Sequence, residues 1–262
     1  MAILIKTREQ IDRLRAAGRI VAETYEELRP LIKPGVTTAE LDERAEAFIR
    51  KQGALPIYKG YGAMAARRGE PGRIPFPATI CVATNDIICH GFPSTTEVLK
   101  DGDIIGVDIG VIYRGWVGDS CVTCGVGTID ATSQKLIDTT RECLDLGIAQ
   151  ARAGNHLGDI GAVIQRHAEA AGFGVVREYT GHGVGRNLHE EPYVFHHGKP
   201  GTGVELRPGM VFTIEPMINA GDYATRLMPD HWVVRTADGS RSAQFEHTLA
   251  ITDGDAELLT VL

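Results

Sequence analysis

The sequence predicts an α+β fold of two pseudo-symmetric halves, each made of two helices followed by an antiparallel sheet segment. Three observations lead there. Helix signals and strand-like runs follow the order helix, helix, strands, and then repeat it. Gly35, Leu41 and Gly53 correspond, at one constant offset, to Gly154, Ile160 and Gly172. Further on, His90-Gly-Phe-Pro93 corresponds to His189-Glu-Glu-Pro192, and Gly102 and Asp108 correspond to Gly209 and Glu215. The expectation is one domain over 1–262, with a pseudo-repeat of roughly 1–127 and 128–262.

The elements follow in order. Thr7 opens the first helix, with Gln10 three residues on in capping-box position, and Ile11, Leu14, Val21 and Leu28 keep a helical stripe. Thr37 and Glu40 repeat that signal for a second helix, which carries Leu41, Ala45, Phe48 and Ile49 inward and stops at Gly53. A strand-rich block runs from about Pro77 to Gly127. Two more helices cover roughly 132–152 and 157–171, the last ending at Gly172. The remainder is strand-like, with turn signals at Arg207-Pro208-Gly209 and Asp238-Gly239. The offset between the halves shrinks between Gly53 and His90, so the first half carries an insertion there. The segment 62–77 (GAMAARRGEPGRIPFP), rich in Gly, Pro and Arg, reads as that inserted loop, either a lid over a cleft or an inert surface loop. Arg67 and Arg68 read as solvated charges.

Composition bounds the function. The 262 residues suffice for a sizeable core. A net charge of −7 disfavours a polyphosphate partner, so no nucleic acid is expected. The opening MAILIKTREQ has too short an apolar run for a signal peptide, and no stretch approaches the ~18 apolar residues of a membrane span. The reading is cytoplasmic, without a membrane partner. Five cysteines without framework spacing fit reduced thiols, and Cys121-x-x-Cys124, lacking a second such pair, reads as buried structural thiols rather than a zinc ribbon.

Two related halves favour a cleft between them. Asp108 lies in GDIIGVDIGVIY, where apolar neighbours on both sides make an ionised carboxylate costly unless it is paired or bound to a metal. Asp119 follows after Tyr113-Arg114-Gly115, a hairpin tip that would set both aspartates on adjacent strands facing one pocket. Glu215 in MVFTIEPMI and Glu246 in SAQFEHTLAIT have the same character. Four acids in strand contexts, with few nearby Lys or Arg, point to cations. His182 and His189 flank the glycine-rich GHGVGRNLHEEP, whose spacing is not a dinucleotide fingerprint, and His90 in ICHGFP makes a third. Four carboxylates and one imidazole favour hard divalent ions, and two such ions can acidify water for attack on an amide.

The segments ICVATNDIICHGFP, GDIIGVDIGVIYRGWVGDS, GHGVGRNLHEEP, GMVFTIEPM and SAQFEHT resemble the methionine aminopeptidases of type I, in the pita-bread family (peptidase family M24) shared with prolidase and aminopeptidase P. The resemblance runs from the first helix to the C-terminus. It implies a single catalytic domain with a curved central sheet and helices outside. It further implies two divalent ions, Co, Mn, Fe or Zn, on Asp108, Asp119, His182, Glu215 and Glu246. In that reading Asp119 and Glu246 bridge the ions, Asp108 chelates one, and His182 and Glu215 complete the other. Glu215 shuttles a proton, His189 meets the oxyanion and His90 meets the scissile nitrogen. Tyr58, Tyr61, Cys81, Leu188 and Trp232 match the family's apolar methionine pocket, Leu188 standing where bacterial relatives often carry phenylalanine. The implied substrate is the N-terminus of a peptide or nascent chain, with the ribosome as a candidate partner and a monomer as the expected state. Only 26 positions separate His189 from Glu215, too few for the helical insertion of type II enzymes. Two rivals share the fold. An X-Pro aminopeptidase normally carries a large N-terminal domain, for which this chain has no room. A metal-free pita-bread binding module should have lost metal ligands, whereas all five positions are filled.

Overall fold

A computed structural model of the chain describes residues 2–62 and 74–262. Most of the inserted segment 62–77, with Arg67 and Arg68, lies outside the described residues. Helix α1 (Arg8–Leu28) and helix α2 (Thr38–Lys51) both start with the complete capping boxes read from the sequence, Thr7 with Gln10 and Thr37 with Glu40. Helices α3 (Ala131–Gln150) and α4 (Leu157–Ala170) form the second pair. On α2 the residues Leu41, Ala45 and Ile49 are buried, while Phe48 is only partly so. It sits at the edge of the stripe, one residue off the i, i+4 row that its neighbours fill. No helix of the described residues is long and apolar enough to cross a membrane.

Corresponding points of the two halves take the same backbone form. Gly53 and Gly172 leave α2 and α4 with φ of 74° and 87°, the left-handed exit that glycine adopts without a Cβ penalty. Isolated bridges pin the N-terminal ends of α2 and α4 at matching points, Thr37 to Val98 and His156 to Glu205. Helices α1 and α2 cover an apolar core with the strands Ile80–Thr84 and Ile104–Tyr113. Helices α3 and α4 do the same for the strand Val211–Ile214 and its neighbours. Close approach matters at Gly118, where a Cβ would stand 2.6 Å from the backbone of Ala17 and Gly18. Helix α1 therefore rests directly on the strand Trp116–Gly125 that carries Asp119.

Among the described residues the strands form four antiparallel sheets. In the first half, Ile104–Tyr113 and Trp116–Gly125 form a hairpin whose tip, Arg114 and Gly115, has φ of 49° and 78°. Two positive φ values in a two-residue loop make the turn that suits the right-handed strand twist. In the second half, Val211–Ile214 lies between Gly181–Gly183 and His247–Ala250. The halves meet along a seam of cross-bonds. The backbone N–H of Glu246 donates to Cys121 O (2.8 Å), Thr248 Oγ1 donates to Asp119 O (2.7 Å), and Thr123 Oγ1 donates to Gln244 O (2.7 Å). This seam brings acids from both halves together. All five cysteines are free; Cys121 is buried, but Cys124, nearer the open end of the hairpin, is only half-buried, short of the full burial expected of it.

Candidate metal centre and pocket

In the hairpin register Asp108 pairs with Cys121, and Asp119 pairs with Gly110. The two aspartates are thus diagonal neighbours, two residues out of register, and share one face of the sheet. Glu246 enters from across the seam. One carboxylate oxygen from each of Asp108, Asp119 and Glu246 falls within 4.8 Å of the others. Opposite them, His182 Nε2 lies 3.6 Å from Asp119 Oδ2 and 3.7 Å from Glu215 Oε1. Every residue singled out in the sequence lines the same cavity of about 350 Å³: Tyr58, Tyr61, Cys81, His90, Asp108, Asp119, His182, Leu188, His189, Glu215, Trp232 and Glu246.

The electrostatics are those of a cation site. Asp119 and Glu246 are buried, Asp108 opens partly to the cavity, and among the described residues no Lys or Arg lines it. Burial, and then mutual repulsion, pushes the carboxyls of Asp108 and Glu246 well up, and burial raises Asp119 to about 6. Glu215 is raised by burial even though Thr213 Oγ1 donates to its Oε1 at 2.7 Å. Burial lowers His182 to about 4, so at pH 7 its ring is neutral and its carboxylate neighbours are contacts rather than ion pairs. Its Nδ1 faces Gly183 O at 3.1 Å and carries the hydrogen, which leaves the Nε2 lone pair toward the acids. Glu246 Oε1 is buried without a hydrogen-bond partner. An orphaned carboxylate oxygen, three converging acids and a neutral imidazole form a donor set that fits a hard divalent cation.

The surrounding groups hold this arrangement. The Tyr58 hydroxyl lies between Asp108 Oδ1 and Asp119 Oδ1 and shares its one hydrogen between them. His182 N–H donates to Thr213 Oγ1 (3.0 Å), Gln244 Nε2 donates to Glu215 Oε2 (3.3 Å), and the backbone N–H of Glu215 donates to His196 Nε2 (3.0 Å). Tyr61 Oη lies 2.6 Å from His189 Nδ1, and the His189 ring stands 4.1 Å from that of His182. His90 sits at the other side, its ring 6.0 Å from Trp232, with φ of 57°. A non-glycine residue held in that region stores roughly 1–3 kcal/mol of strain, as functional positions often do.

Several residues here escaped the sequence reading. Thr213 and Gln244 each stand two positions before an acid on a strand, so strict alternation would have placed them on the same face. His196 gave no signal, because its acceptor role depends on a backbone N–H from another strand. Phe76 was hidden inside the inserted loop, although an aromatic between two prolines was a hint.

Comparison with known proteins agrees with this geometry. The model of metallopeptidase family M24 matches residues 12–253. A methionine aminopeptidase of Bacillus subtilis is 47% identical over 98% of this chain and 99% of its own length. The crystal structure of methionine aminopeptidase from Rickettsia prowazekii superposes with a TM-score of 0.93 at 41% identity, covering 99% of this chain and all of that one. That from Thermotoga maritima gives 0.93 and 41%, covering both chains completely.

Proposed function

The chain belongs to metallopeptidase family M24, and from that premise we propose that it is a methionine aminopeptidase of the pita-bread fold. It removes an N-terminal methionine from peptides and nascent chains when the second residue is small. The observation that carries this reading is the acid cluster of Asp108, Asp119 and Glu246 opening onto an apolar recess lined by Tyr58, Cys81, Leu188 and Trp232. In the same proposal the protein is one catalytic domain of two related halves, works as a monomer in the cytoplasm, and meets its substrate as it leaves the ribosome.

Two divalent ions, Co, Mn, Fe or Zn, would be held by Asp108, Asp119, Glu246, His182 and Glu215. Bound there, they supply Lewis-acid chemistry that polarises the scissile carbonyl and acidifies water. A free α-amino group of the substrate would be held at this metal centre, which restricts the reaction to N-termini. The chain's own groups do the rest. Glu215, its Oε1 held by Thr213 and its Oε2 by Gln244, accepts the proton of the attacking water and passes it to the leaving nitrogen. His189 is lowered to about 4 by burial and by His182, so it is neutral at pH 7. In the tautomer whose Nδ1 accepts from the Tyr61 hydroxyl, Nε2 would carry the hydrogen and donate it to the developing oxyanion. His90, beside Trp232, faces the scissile nitrogen.

The test is an assay of metal-stripped protein on Met-Ala-Ser and Ala-Pro-Gly with Mn(II), Co(II), Fe(II) or Zn(II) added in turn. Methionine release that requires added metal is the expected result. Cleavage of Ala-Pro-Gly alone would move the protein to the X-Pro branch, and silence on both would favour a binding module.

A further inference from the structure

Asp108 and Glu215, the acids that correspond between the two halves, are held by different means. Asp108 lies inside a ladder, with Cys81 opposite it on one strand and Cys121 on the other. Glu215 stands one residue past the end of the strand Val211–Ile214 and is followed by Pro216, which has no N–H. Its own backbone N–H donates to a side chain, His196 Nε2, at 3.0 Å. His196 is only 1% exposed, and its Nδ1 is buried with no hydrogen-bond partner among the described residues. A backbone N–H has only a hydrogen to offer, so Nε2 is the acceptor, the ring is neutral and its hydrogen sits on Nδ1. The fold thus leaves one buried donor unpaired and keeps an acceptor on Glu215, which packing alone does not call for. The chain on either side of the ring rests against α4. A Cβ at Gly161 would stand 2.6 Å from Phe195 O and 2.5 Å from His197 O, and Gly198 N–H donates to Gln165 Oε1 at 3.1 Å.

We propose that His196 is a positioning residue for the reaction: through the Glu215 backbone it sets the direction in which the Glu215 carboxylate enters the cavity. This rests on the aminopeptidase reading above and deepens it. The carboxylate is held at its tip, Oε1 by Thr213 and Oε2 by Gln244. Those contacts place the oxygens only while the Cα from which the side chain extends stays fixed as well. Without His196 Nε2 the Glu215 N–H would be buried and unpaired, and the peptide between Ile214 and Glu215 would turn to find another acceptor. That rotation swings the side chain, and a misplacement of about 1 Å costs on the order of 100-fold in rate. His196 does not line the cavity, so its effect passes through Glu215.

The experiment compares wild type with His196→Gln, whose carbonyl oxygen can stand where Nε2 stands, and His196→Phe, which keeps a ring and loses the acceptor. Kinetics on Met-Ala-Ser with Mn(II) are read beside long-range proton–nitrogen correlation spectra of the metal-stripped protein. The His196 signals are assigned by their disappearance in His196→Gln. Wild-type cleavage of Met-Ala-Ser checks the functional reading alone, whereas the spectra test the His196 contact whatever the activity. At pH 7 they should show a neutral ring with its hydrogen on Nδ1 and a bare Nε2. In His196→Phe, kcat should fall about 10-fold or more with KM changed less than about twofold, because the carboxylate's direction matters mainly in the transition state. His196→Gln should keep kcat within about threefold of wild type, a rescue that a merely structural role would not show. If His196→Phe does not fold, the spectra and His196→Gln carry the test. A hydrogen on Nε2, an undiminished kcat in His196→Phe, or a kcat reduced about 10-fold or more in His196→Gln would each overturn the proposal.

Discussion

Lys6 reaches the carboxylate of Glu190 across 184 positions of sequence, 2.5 Å away, with both side chains buried. The other oxygen of Glu190 accepts the backbone N–H groups of Arg186 (3.0 Å) and Asn187 (3.3 Å), so this pair pins the loop that presents His189. Lys6 is itself anchored, its N–H donating to Gly209 O at 2.7 Å. Removing one member leaves a buried charge without its partner, which costs about 3–5 kcal/mol. Lys6→Met should therefore lower stability by that order in a urea melt. Adding Glu190→Gln should recover part of it, because the amide oxygen still caps the loop while the charge is gone. A double variant no more stable than Lys6→Met would refute the charge argument.

That pair also marks the limit of the sequence reading. Helix starts were legible because capping is local: Thr7 with Gln10 and Thr37 with Glu40 lie within one turn. Asp108, Asp119, Glu215 and Glu246 were legible because a carboxylate inside an apolar strand has few explanations. Their convergence followed from the hairpin at Arg114-Gly115 and the repeat. The supports were not legible. Lys6 looked like an ordinary N-terminal charge, His196 acts on a backbone N–H, and Phe76 sits among loop-forming residues. Each depends on a contact between distant segments, for which no local pattern exists.

In the metal-stripped protein the buried acids should contribute more stability as pH falls from 7 toward 5, while His182, His189, His196 and His247, all lowered by burial, contribute less. Burial raises Asp119 to about 6 and pushes Asp108, Glu215 and Glu246 in the same direction. An acid whose folded pKa exceeds its unfolded value binds protons more tightly when folded. Its favourable contribution is complete below the unfolded pKa and is lost as pH rises through the folded one. For Asp119 that window runs from about 4 to about 6, and the loss is on the order of 2–3 kcal/mol. Melting in EDTA should show wild type gaining Tm relative to Asp119→Asn on acidification through this window, because both proteins share the histidines. Saturating Mn(II) should reverse the slope, because protons compete with the cation for the same oxygens. A Tm difference between wild type and Asp119→Asn that does not change with pH in EDTA would contradict the buried-acid picture.

Asp119→Asn should separate stability from function. The change removes the charge that repels its acid neighbours while keeping an oxygen that accepts from Tyr58. In EDTA the variant should be more stable than wild type by roughly 1–2 kcal/mol, a Tm rise of a few degrees for a chain of this size. With metal present it should lose at least about 100-fold in activity and bind Mn(II) more weakly by calorimetry. A lower Tm in EDTA would mean that the carboxylate is structural.

Tyr61→Phe should act on turnover rather than on substrate binding. The Tyr61 hydroxyl fixes His189 by bonding to Nδ1 at 2.6 Å, and the tilted rings stack at 5.5 Å. Phenylalanine keeps the stacking and loses the hydroxyl, so the His189 ring can flip or exchange tautomers, and Nε2 no longer always carries the hydrogen. One hydrogen bond of net worth about 1 kcal/mol then controls how often the donor is correctly placed. The expected result on Met-Ala-Ser is a fall in kcat of about 10-fold, with KM changed little, because the interaction matters only as the oxyanion forms. His189→Ala should lower kcat further, and Tyr61→Phe added to it should cost almost nothing more, since the tyrosine acts through that ring. Additive losses in the double variant would show that Tyr61 acts independently of His189.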